Sequence, residues 1–158
     1  LLPLLKKGTD PQIINVSSEA HRQARPDFDD LQMRGDYQAF KAYANAKLFN
    51  IYFTHSLAET TPEHGIIANA VHTGLVSPGF GRDFKGIWQG VLTLLRPFMI
   101  NQQKGGASVT NLALMNRENV TNGQYFKNKK HQQPAPIAFD ETKRRQLWDV
   151  SQDLVKGF

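Results

Sequence analysis

Two apolar runs with a long helical pattern between them limit the fold of this chain more than any other feature. The first, Gln12-Ile13-Ile14-Asn15-Val16, ends in the hydroxyls of Ser17 and Ser18. The second runs from Gly65 to Val76 and breaks at Gly74. Ile13, Ile14 and Val16 make the first a near-continuous apolar strand, the kind that suits a parallel sheet covered on both faces. Ligands of open α/β sheets bind at the carboxyl ends of such strands. Ser17 and Ser18 stand at that end, and because side chains alternate only one of them can face the crevice.

Residues 36 to 59 carry the helical pattern. Phe40, Ala44, Leu48 and Ile51 form one stripe, and Ala46, Asn50, Phe53 and Leu57 form another. Two stripes predict a helix that packs on the sheet with one face and on something else with the other; a partner subunit's helix would serve. The same helix carries Tyr43 and Lys47. Side chains four residues apart on a helix share a face, with about 5–6 Å between their Cβ atoms. An ammonium beside a phenol favours the phenolate, and such a phenol can exchange a proton with a substrate oxygen at neutral pH. Taken alone the spacing is weak, since a tyrosine at a core edge and a lysine snorkelling to solvent produce it too. Its weight comes from the strands on either side.

The linked motifs resemble those of the short-chain dehydrogenase/reductase family, and within it the retinol-dehydrogenase-like branch. The residues that carry the resemblance are Asn15-Val16-Ser17-Ser18-Glu19-Ala20-His21, Tyr43 with Lys47-Leu48-Phe49-Asn50, Ala70-Val71-His72-Thr73-Gly74, and the late Leu147-Trp148-Asp149-Val150-Ser151. It implies a Rossmann-like α/β fold, a doubly wound parallel sheet with helices on both faces. No Gly-x-x-x-Gly-x-Gly stretch occurs, and Leu1 to Lys7 look like the end of the helix before the serine strand. On this reading residues 1–158 are the C-terminal part of one such domain, without its dinucleotide half, and are expected to be inactive by themselves.

The resemblance also implies roles. Ser18, the second serine of the pair, takes the catalytic position with Tyr43 and Lys47. Tyr43 and Lys47 also contact the cofactor, Lys47 through the nicotinamide ribose. Thr73, Gly74, Val76 and Ser77 form the loop against the nicotinamide. Two departures stand out: Thr73 replaces a proline of the usual loop, and Pro78 replaces a threonine that commonly bonds the cofactor. The implied reaction is hydride transfer between NADP(H), in preference to NAD(H), and a small-molecule alcohol or carbonyl, lipophilic ones such as retinoids or steroids included. Residues 78–103 would cover the substrate, with Trp88, Val91, Leu92, Leu94, Leu95, Phe98 and Met99 as a greasy lid, a membrane-facing surface or ordinary core. A homodimer through the Tyr43 helix is common in the family. The competing reading, supported by Thr73 and Pro78, is a non-catalytic dehydrogenase-like domain used for binding or assembly.

Other classes fare poorly. The chain has 158 residues, no cysteine and a formal charge of +5. The absence of cysteine removes disulfides, thiolate metal sites and a cysteine nucleophile, and fits a reducing intracellular compartment. Five scattered histidines show no ligand spacing, so no metal is expected, and no Gly-x-Ser-x-Gly nucleophile elbow is present. Asp27, Asp29 and Asp30 lack the glycine and glutamate of an EF-hand, and residues 21–37 read as a surface loop. The basic clusters Lys127-Asn128-Lys129-Lys130 and Lys143-Arg144-Arg145 read as solvated faces, not a nucleic-acid surface. Toward the C-terminus, Gly105 and Gly106 are expected to open a helix carrying Val109, Leu112, Ala113 and Leu114. Gly123 to Phe126 is expected to be a short last strand. Asp140 is expected to cap a final helix whose buried stripe is Leu147, Val150 and Leu154.

Overall fold

The computed structural model describes residues 1–74 and 102–157. A four-residue helical turn, α1 (Leu2–Leu5), leads into strand β1 (Gln12–Ser17). Helix α2 (Ala39–Thr60) crosses back to β2 (Ile67–His72). Helix α3 (Gln102–Ala113) precedes β3 (Tyr125–Lys127) and β4 (Lys130–Gln132), and α4 (Glu141–Leu154) follows. The strand order is β1-β2-β3-β4. The first three are parallel and β4 is antiparallel to β3.

Sequence explains the long helix. From Ala39 to Thr60 there is no glycine or proline, and four alanines in the first eight residues are the best helix formers. Pro62 ends it: proline cannot supply the next amide donor and its ring disfavours helical geometry before it. Gly65, at φ +64°, then turns the chain into β2.

Alternation along the strands divides the core in two. Ala70 and Tyr125 face α2, where they join Ala44, Leu48, Ile51 and Tyr52. Val71 and Phe126 face the other way, against Leu112, Val120 and the partly buried Val109. The sheet is therefore covered by helices on both faces, as the sequence predicts. The second stripe of α2 is met in part by α4 of the same chain, where Phe53 stacks on Trp148 with ring centroids 5.7 Å apart.

Several local expectations need correction. β1 is half-buried, not fully buried, and Val16 is 39% exposed because β1 is an edge of the sheet among the described residues. Gly105 and Gly106 lie inside α3, which is already helical at Gln102; Leu112 is buried there while Leu114 is exposed. The short strand at Tyr125 is half of a hairpin that the sequence reading omits. Its turn residues Asn128 and Lys129 both have positive φ, 51° and 64°, as the tightest hairpin turns require. This accounts for the lysine-rich cluster as a turn tip. Asp140 does cap α4, its carboxylate accepting from the Lys143 amide at 3.0 Å. Leu154 lies exposed, and Arg144, beside Leu147 and Trp148, takes the buried place instead. Residues 21–37 are not wholly surface: His21, Ala24 and Met33 are buried.

Candidate active site

Register brings the strand ends together before any side chain is considered. Ser17 pairs with His72 across β1 and β2, so Ser18 and Thr73 are the first residues beyond one paired rung. The serine turn and the glycine loop therefore leave the sheet side by side, at the carboxyl ends of parallel strands.

Helix α2 is pinned to that end by three hydrogen bonds. The buried Ser17 hydroxyl donates to the Lys47 carbonyl at 2.7 Å. The Asn50 amide donates to the Val16 carbonyl at 2.8 Å, and Lys47 Nζ donates to the same oxygen at 3.2 Å. These bonds separate the roles of the two serines. Ser17 is spent on holding the helix. Ser18 is only partly buried and opens a one-turn 3-10 helix (Glu19–Gln23), its Oγ accepting from the Ala20 amide at 3.3 Å. Asn50 sits in the quoted Lys47-Leu48-Phe49-Asn50 stretch, but its role needs the fold to be seen.

Lys47 Nζ lies over the face of the Tyr43 ring, 5.4 Å from its centroid. The helical spacing of four thus delivers the juxtaposition of ammonium and phenol that the sequence predicts, through the ring face. Burial pushes the Lys47 pKa below the ordinary lysine value. Tyr43 is half-buried and shares its surroundings with Tyr125. The Tyr125 phenol is pushed up by burial first, and further by Glu19 and Tyr43.

Beneath the serine turn lies a polar cluster that the sequence reading misses. His21 is fully buried, stacked edge-on against Tyr125 at 5.1 Å. The Tyr125 hydroxyl donates to Glu19 at 2.9 Å, and Glu19 also pairs with Arg22 and Lys127. Burial works to raise the Glu19 pKa, but the bonds from Tyr125, Lys127 and Arg22 together outweigh it and hold it at about 2. The signal for this cluster was the histidine three residues after Ser18, inside a stretch read as loop.

On the side of the glycine loop, Thr73 and Gly74 are half-buried, and Gly74 has φ +91°, a conformation that favours glycine. Next to them His72 keeps a buried Nδ1 with no hydrogen-bond partner among the described residues. An orphaned polar atom, a glycine turn and a lysine ammonium at strand ends fit a polar ligand there. Val76 and Ser77 lie outside the described residues, as does the expected cover at 78–103 except for its last two residues, which belong to α3. Among the described residues no cluster of metal-ligating side chains occurs and no helix is long and apolar enough to cross a membrane.

No family model matches the chain. Individual proteins do. Human retinol dehydrogenase 14 is 30% identical over 163 residues, covering 98% of this chain and 47% of its own length. Dehydrogenase/reductase SDR family member 13 of Bos taurus is 34% identical over 158 residues, covering 98% of this chain and 42% of its own length. The chain belongs to the short-chain dehydrogenase/reductase family. Solved structures agree on the fold. An uncharacterised protein from Mycobacterium paratuberculosis superposes with a TM-score of 0.64, at 22% identity, over 90% of this chain and 49% of that one. The NADPH-bound carbonyl reductase from chicken fatty liver gives 0.55, at 21% identity, over 83% and 48%. The chain spans about half the length of the short-chain dehydrogenases it matches.

Proposed function

We propose that this chain is the substrate-side part of an NAD(P)-dependent oxidoreductase domain, acting on an alcohol or carbonyl together with a dinucleotide-binding part. The observation that carries this reading is the Lys47 ammonium over the Tyr43 ring, on a helix tied to the serine end of β1. Among the described residues β1 stands at the edge of the sheet, where a dinucleotide-binding part would pair.

Ser18 donates a hydrogen bond to the reacting oxygen and stabilises the charge that develops there. In the reducing direction Tyr43 gives its phenolic proton to that oxygen, and in the oxidising direction it takes the proton back. Lys47 offsets the negative charge left on the phenolate and bonds the ribose of the cofactor. Thr73 and Gly74 stand on the nicotinamide side; the same role expected of Val76 and Ser77 falls outside the described residues. When bound, the nicotinamide supplies or accepts the hydride.

NADP(H) is the preferred cofactor; the chicken carbonyl reductase, similar in fold, is described with NADPH. Lipophilic alcohols are the substrate class, in keeping with relatives named retinol dehydrogenases. A homodimer through α2 uses the exposed Ala46 and the 43%-exposed Phe53.

The test is to express the chain joined to a family dinucleotide half, titrate with NADPH by nicotinamide fluorescence, and assay retinol and retinal turnover. Binding with turnover that Tyr43→Phe abolishes supports the reading. Normal turnover in that variant removes Tyr43 from the chemistry, and absence of NADPH binding favours a non-catalytic scaffold.

A further inference from the structure

His21 joins two parts of the chain that are more than a hundred residues apart. Its Nδ1 lies 2.6 Å from the Ser18 carbonyl, and its Nε2 lies 2.9 Å from the Ala135 amide nitrogen. The Ala135 amide is always a donor, so Nε2 must accept, and the single proton of the neutral ring must sit on Nδ1 and be donated to Ser18. Burial pushes the His21 pKa down, which agrees with a neutral ring. Both ring nitrogens are thus satisfied in one tautomer and one orientation. The Ser18 carbonyl also accepts from the His21 main-chain amide at 3.0 Å. Ser18 is fixed at its carbonyl by the ring, and Ala135 at its amide, by the same side chain. The Tyr125 ring backs the imidazole edge-on, and Arg22 reaches from the same turn to the Gln133 carbonyl at 2.9 Å.

We propose that His21 is a positioning residue that aims the Ser18 hydroxyl through the Nδ1 bond to the Ser18 carbonyl, while its Nε2 bond ties the stretch after β4 to the serine turn. This rests on Ser18 acting on the substrate oxygen, as proposed above. The geometry of the ring decides what each substitution removes. Asparagine can reproduce the Nδ1 donor to Ser18 but not the acceptor for Ala135. Glutamine can reproduce the acceptor but not the donor. If the ring aims Ser18, losing the donor costs turnover and losing the acceptor costs mainly the tie to Ala135.

Two measurements test this. In the protein completed by its dinucleotide half, His21→Gln is expected to lower kcat roughly 10- to 100-fold, as a small misplacement of a reacting group does. Its KM for NADPH should stay unchanged, and His21→Asn should recover most of the lost kcat. In a Ser18→Ala background, His21→Gln should add no further loss, because residues acting through one another are not additive. Losses that multiply, or equal losses in both variants, overturn the proposal. Full activity of Ser18→Ala alone is a separate result, which overturns the functional reading instead. The second measurement needs no turnover. Nitrogen-15 NMR of the chain should show His21 protonated on Nδ1, and amide exchange at Ala135 should quicken in His21→Asn. A ring protonated on Nε2, or unaltered exchange, shows that no clamp exists.

Discussion

The two halves of α2 are made from one uninterrupted helix, yet they are built differently. In the half from Ala39 to Asn50, polar groups reach the backbone of β1: Lys47 and Asn50 both donate to Val16, and Lys47 lies over Tyr43. Those groups are only half-buried, and their partners are main-chain oxygens at the sheet's rim. In the half from Ile51 to Thr60, Ile51 and Tyr52 are sealed from solvent, and the Tyr52 hydroxyl donates to the Ile137 carbonyl at 2.8 Å. Burial pushes the Tyr52 phenol up to about 12, so it stays protonated and structural. The helix thus carries two tyrosines with opposite uses. Tyr43 stands beside a cation at the strand ends, and Tyr52 stands in the core against a carbonyl.

The sharpest way to break this contrast is to exchange each tyrosine for phenylalanine. Tyr43→Phe is expected to reduce kcat by roughly 10²- to 10⁴-fold in the completed protein, with an unchanged melting temperature. Ile51→Ala, fully buried in the second half, should instead destabilise the fold by about 2–5 kcal/mol in urea titrations. If that variant lost activity at unchanged stability, the division between the halves would be wrong. Tyr52→Phe should cost about 1 kcal/mol and leave turnover intact. Smallest of all, Glu59→Gln should cost about 1 kcal/mol or less, and less still in high salt, because Glu59 is well exposed although its partner Arg144 is buried.

The serine end of the sheet also differs in its response to acid. The folded-state pKa of Glu19 is depressed, so its contribution to stability is complete above its ordinary value of 4.5 and is lost as pH falls toward about 2. Glu19→Gln should flatten the stability profile between those values, as followed by circular dichroism. A profile unchanged by that substitution would detach Glu19 from the fold's acid sensitivity.

Much of this was legible because it depends on period. The βαβ order, the stripe of Ala44, Leu48 and Ile51, and the meeting of Tyr43 with Lys47 follow from spacings of two and four along the chain. What was illegible depends on contacts between distant residues. Nothing near His21 in sequence says that Ala135 will meet its ring, so a buried clamp read as part of a loop. The hairpin at Asn128 was hidden because two lysines flank a turn that glycine usually marks. Arg144 read as a solvated charge, and only the crossing of α4 over α2 gives it Glu59 and a buried berth. Likewise side-chain alternation left Ser17 and Ser18 open and only the resemblance chose Ser18; the Lys47 carbonyl that claims the Ser17 hydroxyl is thirty residues away in sequence.

The position of β1 at the edge of the sheet, among the described residues, has a practical side. A row of main-chain donors and acceptors flanked by Ile13, Ile14 and Val16 is a template on which any extended polypeptide can add itself. Unless something occupies that row, preparations of this chain will recruit one another into aggregates. Solubility should then return on co-expression with a segment able to cover it.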